Sequence, residues 1–503
     1  MSTRSPVRLL GWLLVLPAFV LLLWSYVWPT IWDVWTSFRR VSLFTGADTS
    51  AGSANYDYAF RHGFWGSVGY ALTLVAVPLL VVAVAAPALA WAAHRGGTVA
   101  RWVVRVALAL PLVAYAPAAI AVGWALDHRD AGTVRAAAWW GTFGLGCAVA
   151  VTAYLAALRR RTPGRPAWPA AVVVGGLLAL AAIALGLQGF AYPYVIAAGG
   201  PQGATTTPML LLYRNTFMLA SLGSGAAVAT LLLIPLMLLG IGATVLVIAS
   251  RLRIEVDPGY RSADEPRGWP PGRLAAVVAT VVLLAIVLAV SLYGLWPWLS
   301  RLGDTTLPRG AGSAFLDTWV PPLVSRYSEL LLLPFAPWLF VGTGPLLGSA
   351  FSRMAHGGQL GTFFALIPPT WVAIPVLFVA TLLFRGQEAR WRAERGDVAR
   401  FLVLPVLPML PLLFGAVWLW QAQDMLWQLA ASNPERPTAP AFFPGYAGYV
   451  PGHTGIGLVL PVALLVLFTL LAIAAQLAYL DRVAVRVGRE EPGQPPVDDA
   501  LPM

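Results

Sequence analysis

The feature that most constrains this chain is a series of eleven apolar segments. Each has about 20 residues or more, and a helix of that length crosses the roughly 30 Å of hydrocarbon in a bilayer. Apolar residues make up 58% of the chain and charged residues 11%, which leaves few side chains for a soluble surface. We therefore predict an all-α polytopic protein that contacts the lipid bilayer. The predicted spans are 9–32, 64–93, 106–126, 137–158, 168–191, 224–249, 273–299, 328–350, 359–384, 401–422 and 455–480.

The positive charge follows the ends of these spans. The net charge is +11, and the arginines flank apolar segments instead of lining one soluble face. Cytoplasmic loops of membrane proteins carry such an excess, so the charge indicates topology and not a nucleic-acid partner. Arg4 and Arg8 precede the first span, and Arg482 and Arg486 follow the last. We therefore predict that both termini are cytoplasmic.

The composition also limits the chemistry of the chain. It contains no lysine, and a phosphate-binding loop of the G-x-x-x-x-G-K-[ST] type needs one on the nucleotide phosphates. We therefore predict no ATP site, no cofactor and no enzymatic activity in this chain, so ATP-driven work must come from another subunit. The single cysteine, Cys147, excludes an intramolecular disulfide.

A weak internal repeat divides the chain into two halves. Residues 1–250 and 273–481 are predicted as halves with six and five spans, joined by a polar cytoplasmic linker at 251–272 and followed by a disordered tail at 482–503. The halves share features in the same order, as many transporter folds do. The matching pairs are Trp28-Pro29 with Trp296-Pro297, Ala116-Pro117 with Ala336-Pro337, and Gln188 with Gln421.

The second half has one predicted membrane crossing fewer than the first. With the amino terminus inside, the seventh span exits near Ser300, yet the arginine distribution requires Arg326 on the inside. The stretch 315–325 lies where the extra crossing belongs, but as a helix it would rise only about 16 Å. We predict a broken crossing there, packed against protein. The alternative is that this half is reoriented.

The centre of the chain carries the most specific motif. Gln188, Gly189 and Phe190 close the fifth span, and Gly199-Gly200-Pro201, Thr205, Tyr213, Phe217 and Gly223 follow. This order resembles the permease subunits of binding-protein-dependent ABC importers of the maltose/glycerol-phosphate type. In the second half, 423–427 resembles a Trp-containing turn of the partner permease. The likeness implies two permease subunits joined in one chain.

The resemblance implies a bacterial plasma-membrane importer of a carbohydrate or similar polar solute. Its partners would be a separate ABC ATPase, an extracytoplasmic solute-binding protein and, in one arrangement, another permease. The implied substrate pathway comprises Gln188, Phe190, Tyr192, Tyr194, Gln421, Gln423, Asp424 and Trp427. The outer-loop motif comprises Gly199, Gly200, Pro201, Thr205 and Tyr213. The alternatives are interfacial anchoring for each aromatic residue and a plain turn for the Gly-Gly-Pro sequence.

The predicted ATPase-docking loops depart from the family pattern. Ala156, Ala157 and Gly164 represent the first loop, which lacks the family's glutamate and is short; Glu388, Ala389 and Gly396 represent the second, with altered spacing. Residues 385–400 also fit a solvated charged connector. A second hypothesis is therefore an accessory or degenerate subunit that keeps the permease architecture without normal coupling to an ATPase.

A third class is a membrane enzyme acting on lipid-linked substrates. Asp33, Asp127, Asp130 and Asp424 are its candidate acids, but they are scattered along the chain. The five histidines show no metal-ligand spacing. Loop solvation explains these acids better than catalysis does.

Overall fold

The computed structural model describes residues 16, 19–42, 48–159, 168–256, 272–305, 318–319, 335–394, 397, 399–433, 437–446 and 455–488. Within them the chain is mainly helical, with two small antiparallel sheets. The first half contains a π-helical turn Leu23–Val27, α1 (Trp28–Ser37), β1 (Arg39–Val41), β2 (Asp48–Ser50), α2 (Ala54–Arg61), α3 (Phe64–Leu74), α4 (Ala76–Leu80), a π-helical turn Val81–Ala85, α5 (Ala86–Gly96), α6 (Thr98–Ala107), α7 (Ala109–Val113), α8 (Pro117–Asp127), α9 (Ala131–Leu158), α10 (Trp168–Leu187), a π-helical turn Pro193–Ala197, α11 (Pro208–Tyr213), a π-helical turn Arg214–Met218, α12 (Leu222–Ser250) and β3 (Arg253–Val256).

The second half has more short and interrupted elements. In chain order they are α13 (Arg273–Leu299), 3-10 turns Ala336–Trp338 and Gly344–Leu346, α14 (Leu347–His356), a 3-10 turn Phe363–Leu366, α15 (Ile374–Glu394), a π-helical turn Ala399–Val403, α16 (Leu404–Val406), α17 (Met409–Ala422), α18 (Met425–Ala431), α19 (Ala439–Tyr446), a 3-10 turn Ile456–Leu458, α20 (Val462–Ala478), a 3-10 turn Leu480–Arg482 and β4 (Val483–Arg486).

Seven helices in the described ranges are long and apolar enough to cross a membrane. They are Ala76–Gly96, Ala131–Leu158, Trp168–Leu187, Leu222–Ser250, Arg273–Leu299, Leu404–Ala422 and Ile456–Arg482. The prediction of a helical, membrane-embedded protein is therefore confirmed. The count of eleven spans is not, because the described parts of 9–32, 106–126, 328–350 and 359–384 are shorter or interrupted.

Proline and glycine account for the interruptions. Ala116 has φ −142° and ψ 68°, a backbone outside the helical region, because Pro117 disfavours helical geometry in the residue before it. This break separates α7 from α8. In the second half, Gly342, Gly344 and Pro345 lie where the chain changes from one 3-10 turn to the next.

The two ends of the helix bundle carry different sheets. One end carries the β1–β2 hairpin, which follows α1, and we call it the hairpin end; there Ser42 also forms a β-bridge with Ser221, just before α12. The opposite end, which we call the linker end, carries β3 after α12 and β4 after α20, and these two strands pair. The predicted linker and the predicted disordered tail thus meet in one sheet. The tail prediction is wrong for residues 483–486, because their backbone groups find partners in β3.

The last helices of the two halves exchange packing partners. Helix α12 of the first half packs against the 3-10 turn Ala336–Trp338, and α20 of the second half packs against α7. Each thus contacts the interrupted segment of the other half. Residues of the two predicted halves therefore pack against each other.

The first helix of each half also contacts the other half. Near α1, the Tyr26 hydroxyl donates to the Val372 carbonyl oxygen at 2.7 Å, and the Trp338 indole donates to the Thr30 hydroxyl at 2.9 Å. Helix α13 of the second half packs in turn on α8 and α9 of the first, where the Trp124 indole donates to the Gly294 carbonyl oxygen at 3.1 Å. The interface therefore involves both ends of each half.

An interrupted segment, which we call the broken crossing, lies at 335–356, outside the predicted broken crossing at 315–325. Only Thr318 and Trp319 of the predicted crossing at 315–325 belong to the described residues, and both are buried. The rest of 315–325 lies outside the described residues. The segment 335–356 begins within 328–350, the range predicted as a continuous span. Its non-helical part is held by protein partners, as a backbone outside regular helix requires at membrane depth.

Candidate functional site

Six polar residues meet where helices of both halves are interrupted. We call them the central polar cluster: Tyr115, Tyr192, Thr343, Thr370, Gln421 and Asp424. Tyr115 lies between α7 and α8, and Tyr192 follows α10. Thr343 and Thr370 lie in irregular segments, Gln421 is in the last turn of α17, and Asp424 separates α17 from α18. Interrupted helices at the interface of repeated halves are where many transporters bind solutes.

Polar side chains lie near the carboxyl group of Asp424. The Thr343 hydroxyl lies beside Asp424, and the Thr343 and Thr370 hydroxyl oxygens are 3.0 Å apart, close enough for a hydrogen bond. The Gln421 side-chain amide donates to the Thr370 carbonyl oxygen at 3.3 Å. Asp424 also accepts the Trp427 backbone N–H at 3.2 Å and so caps α18.

The first half closes the cluster with aromatic rings. Tyr115 stacks on Trp420 of α17, with ring centroids 5.1 Å apart and planes inclined by 7°. Tyr192 is buried against α9, where an added Cβ on Gly141 would lie 3.3 Å from the Tyr192 hydroxyl. Tyr192 and Asp424 both lie close enough to Tyr115 to interact with it electrostatically. The cluster thus combines one carboxyl group with neutral hydroxyl, amide and aromatic groups.

Gln188 bonds to the backbone of the broken crossing. Its side-chain amide nitrogen donates to the Ala184 and Phe340 carbonyl oxygens at 2.9 and 2.8 Å, and its oxygen accepts the Gly342 N–H at 2.7 Å. One side chain from the first half therefore satisfies two backbone groups in the second. This occupies the amide that the sequence analysis assigned to the substrate pathway.

Phe190 and Tyr194 belong to a separate aromatic cluster. Their rings stack with centroids 5.0 Å apart, and both contact the ring of Tyr213 edge-on. Tyr213 continues to Phe217, which meets Phe351 of α14 with centroids 4.9 Å apart. These rings join the halves at the hairpin end, while Tyr192, between Phe190 and Tyr194 in sequence, belongs to the central polar cluster.

The outer-loop motif is a tightly bonded turn. Gly199 has φ +83°, and an added Cβ would lie 2.9 Å from the Thr206 hydroxyl oxygen, so glycine is required there. Thr205 is buried and donates to the Gly200 carbonyl oxygen at 2.9 Å. The Gly200-Pro201 peptide bond is cis, and Pro201 is exposed. The motif therefore shapes the loop, while Tyr213 links it to the aromatic cluster.

The remaining predicted residues of the second half hold irregular backbone in place. Gln423 is buried and donates to the Val459 carbonyl oxygen at 3.1 Å. The Trp427 indole, also buried, donates to the Ala365 carbonyl oxygen at 2.9 Å. Both side chains lie beside the cluster and position the segments that form it.

Of the eight predicted pathway residues, three belong to the central polar cluster: Tyr192, Gln421 and Asp424. Sequence analysis missed Tyr115, Thr343 and Thr370. All three have a signal in the sequence, since each lies beside proline or within two residues of it inside an apolar region: Ala116-Pro117, Gly344-Pro345 and Pro368-Pro369. A polar residue beside a helix breaker in an apolar region was therefore the signal in the sequence that could have found them.

The predicted docking residues have unequal surroundings at the linker end. Ala156 and Ala157 are buried in the last turns of α9, and β4 packs against that helix. Glu388 lies on α15 and is exposed, paired with Arg392 at 2.5 Å. Ala389 is the next residue of α15, while Gly164 and Gly396 lie outside the described residues. The first docking position is therefore covered by the chain itself, and the second has an exposed charged face.

Other candidate sites have less support. Among the described residues, no three of His, Cys, Asp and Glu come together as a metal-binding group. A surface depression at the hairpin end is lined by Trp124, Asp127, Leu292, Tyr293, Trp296 and Pro297, none of which was a predicted pathway residue. The four acids considered for an enzyme do not form one site: Asp33 bonds Ser349, Asp127 faces Arg301, Asp130 caps α9, and Asp424 lies in the central polar cluster.

The chain matches no protein-family model and no curated protein sequence.

Proposed function

We propose that this chain is the translocation subunit of a membrane transporter for a polar solute, built from two permease halves of the ABC-importer type. The observation that carries the proposal is the central polar cluster, which lies at helix interruptions from both halves. The exchanged packing of α1, α12, α13 and α20 supports a pathway along the same interface.

The chemistry of the cluster favours particular solutes. Asp424 can accept hydrogen bonds from hydroxyl or ammonium groups, and Thr370, Thr343 and Gln421 offer further polar contacts. The Tyr115–Trp420 pair provides aromatic surface beside the carboxylate. An anionic solute would meet the carboxylate without a basic side chain in the cluster to offset the repulsion. We therefore propose an uncharged polyhydroxylated solute or a cationic one.

The direction and the energy source come from the family resemblance. The linker end carries many of the arginines, which favours a cytoplasmic location for that end. A separate ABC ATPase would act there, and an extracytoplasmic binding protein would deliver solute at the hairpin end. In this arrangement the exposed face of α15 around Glu388 and Arg392 is the candidate contact for the ATPase.

A specific observation favours a second candidate function. The end of α9, where the first docking loop begins, is covered by the β3–β4 sheet of the same chain. An accessory subunit that has lost normal coupling to an ATPase would tolerate this covering. The second candidate is therefore an uncoupled membrane subunit with permease architecture.

The first test is solute binding by the detergent-purified chain. Its thermal unfolding is measured with neutral sugars and polyols, amines, and organic acids. A ligand at 100 times its Kd stabilises a protein by about 2.7 kcal/mol, so binding is visible as a higher unfolding midpoint. We expect stabilisation by a sugar, polyol or amine. Asp424→Asn should weaken it about tenfold or more, because hydrogen bonds to charged groups contribute about 1.5–3 kcal/mol.

The matched control is Asp57→Asn, which changes an exposed acid on α2 and should leave ligand stabilisation unchanged. Stabilisation by organic acids alone, or equal affinities in the Asp424→Asn variant and the parent chain, would contradict the assignment of the cluster. Absence of stabilisation by every compound class would contradict a solute-binding function.

A further inference from the structure

The β3–β4 sheet joins segments that follow the last helix of each half. Its antiparallel register pairs Arg253 with Arg486, Ile254 with Val485, Glu255 with Ala484, and Val256 with Val483. Since β3 follows α12 and β4 follows α20, the sheet connects two helices that each pack against the interrupted segment of the opposite half. Movement of one half relative to the other would therefore act on the sheet.

A buried glutamate forms ion pairs with arginines of both strands. Glu255 lies 3.0 Å from the Arg253 guanidinium on its own strand and 3.6 Å from the Arg486 guanidinium on β4. The Glu255 and Arg486 side chains are each only 3% exposed. Removing one partner of a buried ion pair is strongly destabilising, because the remaining charge is left without compensation. Loss of the Glu255 carboxylate is therefore expected to weaken the pairing of the strands.

The sheet also connects to helices from both halves. On the first-half side, Arg486 donates to the Arg159 carbonyl oxygen, just after α9, at 2.6 Å. On the second-half side, Gln387 and Arg390 of α15 donate to the Val256 carbonyl oxygen at 3.2 and 2.8 Å. An added Cβ on Gly386 would collide with the Ile254 carbonyl oxygen, so α15 lies directly on β3.

A second group of polar contacts adjoins the same region. Arg105 of α6 lies 3.3 Å from Asp481 and donates to the Gln476 side chain at 2.5 Å. Burial lowers the pKa of Arg105 to about 10, with Asp481 acting in the opposite direction, so the guanidinium remains charged at neutral pH. These contacts fix the end of α20 immediately before β4 begins.

We infer that the β3–β4 sheet is a latch that holds the linker ends of the two halves together and must separate before the pathway opens at that end. The inference rests on the proposed two-half transporter. In an alternating-access cycle, the halves move against each other around a fixed site, and each side of the site opens in turn. The sheet bonds α9 of one half to α15 of the other, so it closes the linker end.

The test measures access to the surface beneath the sheet and requires neither solute nor ATPase. In a Cys147→Ala background, a reporter cysteine is placed at Ala156 or, in a second protein, at Ala157. Inside-out membrane vesicles are treated with a membrane-impermeant maleimide, and the alkylation rate is followed by mass spectrometry. The parent should react slowly, because both positions are buried.

Glu255→Gln should raise the alkylation rate about tenfold or more, because it breaks the buried pairing between the strands. Asp57→Asn is the control: it removes the charge of an exposed acid on α2, away from the sheet, and should leave the rate unchanged. An unchanged rate in a folded Glu255→Gln protein, or equal increases in both variants, would overturn the latch.

A disulfide provides an independent variant that keeps Glu255. Ile254→Cys with Val485→Cys links residues that are direct partners in the register, within the Cα separation that a disulfide allows. Oxidation should lower the reporter's alkylation rate, and reduction should restore it. Equal rates before and after confirmed crosslinking would show that access does not require separation of the sheet. These results remain informative even if the solute-binding test fails.

Discussion

At the scale of single residues, the same side-chain type serves different purposes in the two halves. The side-chain amide of Gln188 forms hydrogen bonds with the backbone of the broken crossing. The amide of Gln421 donates to the Thr370 carbonyl oxygen within the central polar cluster. Both are glutamines at the end of an apolar segment, so their sequence environments look alike. Sequence identified them as polar groups at membrane depth, but their partners come from segments more than 50 residues away.

The support given by Gln188 can be tested by an apolar replacement of similar length. Gln188→Met would leave the Phe340 carbonyl and the Gly342 N–H without their side-chain partner. Each unsatisfied buried group costs about 1–3 kcal/mol, so the loss of both partners should lower the free energy of unfolding by about 2–6 kcal/mol. Denaturant titration of the purified protein in mild detergent measures this change.

Gln359→Met serves as the control for Gln188, because Gln359 is exposed. Its effect should remain within about 0.5 kcal/mol. If the two variants have equal unfolding free energies, the Gln188 hydrogen bonds do not stabilise the broken crossing.

At the scale of elements, helix α13 depends on a close approach to α9. Gly294 lies directly against the Trp140 backbone, and an added Cβ would collide with the Trp140 carbonyl oxygen. The Gly294 carbonyl oxygen also accepts the Trp124 indole N–H. Small residues permit this distance between membrane helices, where close packing is a main source of association. Gly294 is thus required by tertiary packing, although it weakens helix propensity.

Two glycine substitutions distinguish the effect of close helix packing from the effect of helix propensity. Gly294→Ala should destabilise the protein, because an overpacked contact costs about 1–3 kcal/mol. Gly242→Ala on α12 has no neighbour within 4 Å of the new Cβ, so it should stabilise the protein by up to about 1 kcal/mol. Thermal unfolding of both variants in the same detergent provides the comparison. A stabilised Gly294→Ala variant would contradict the observed contact between α9 and α13.

At the scale of the whole molecule, the unequal docking positions lead to a prediction about partners. The end of α9 is covered by the sheet, while Glu388 and Arg392 of α15 are exposed. Affinity purification of the tagged chain from its own membranes, followed by mass spectrometry, should recover an ABC ATPase in stoichiometric amount. Glu388→Arg should reduce that recovery, because it reverses a charge on the exposed face.

Asp57→Arg reverses an exposed charge on α2, near the hairpin end, and should leave recovery of the ATPase unchanged. Reproducible absence of an ATPase from intact preparations would contradict the importer proposal and favour the uncoupled accessory subunit. Equal losses in both variants would instead place the contact away from α15.

The sequence by itself determined that the chain is a helical membrane protein. The length of its apolar segments and their scarcity of charge are local properties, and they favour insertion into a bilayer whatever the tertiary contacts are. It also located helix breaks such as Ala116-Pro117, since proline restricts its neighbours wherever it occurs. Only the tertiary structure decided that Tyr115 stacks on Trp420, that Gln188 supports 340–342, and that β3 pairs with β4. Each of these contacts joins residues more than 150 positions apart, and which ones meet depends on how the two halves pack, which no local pattern specifies.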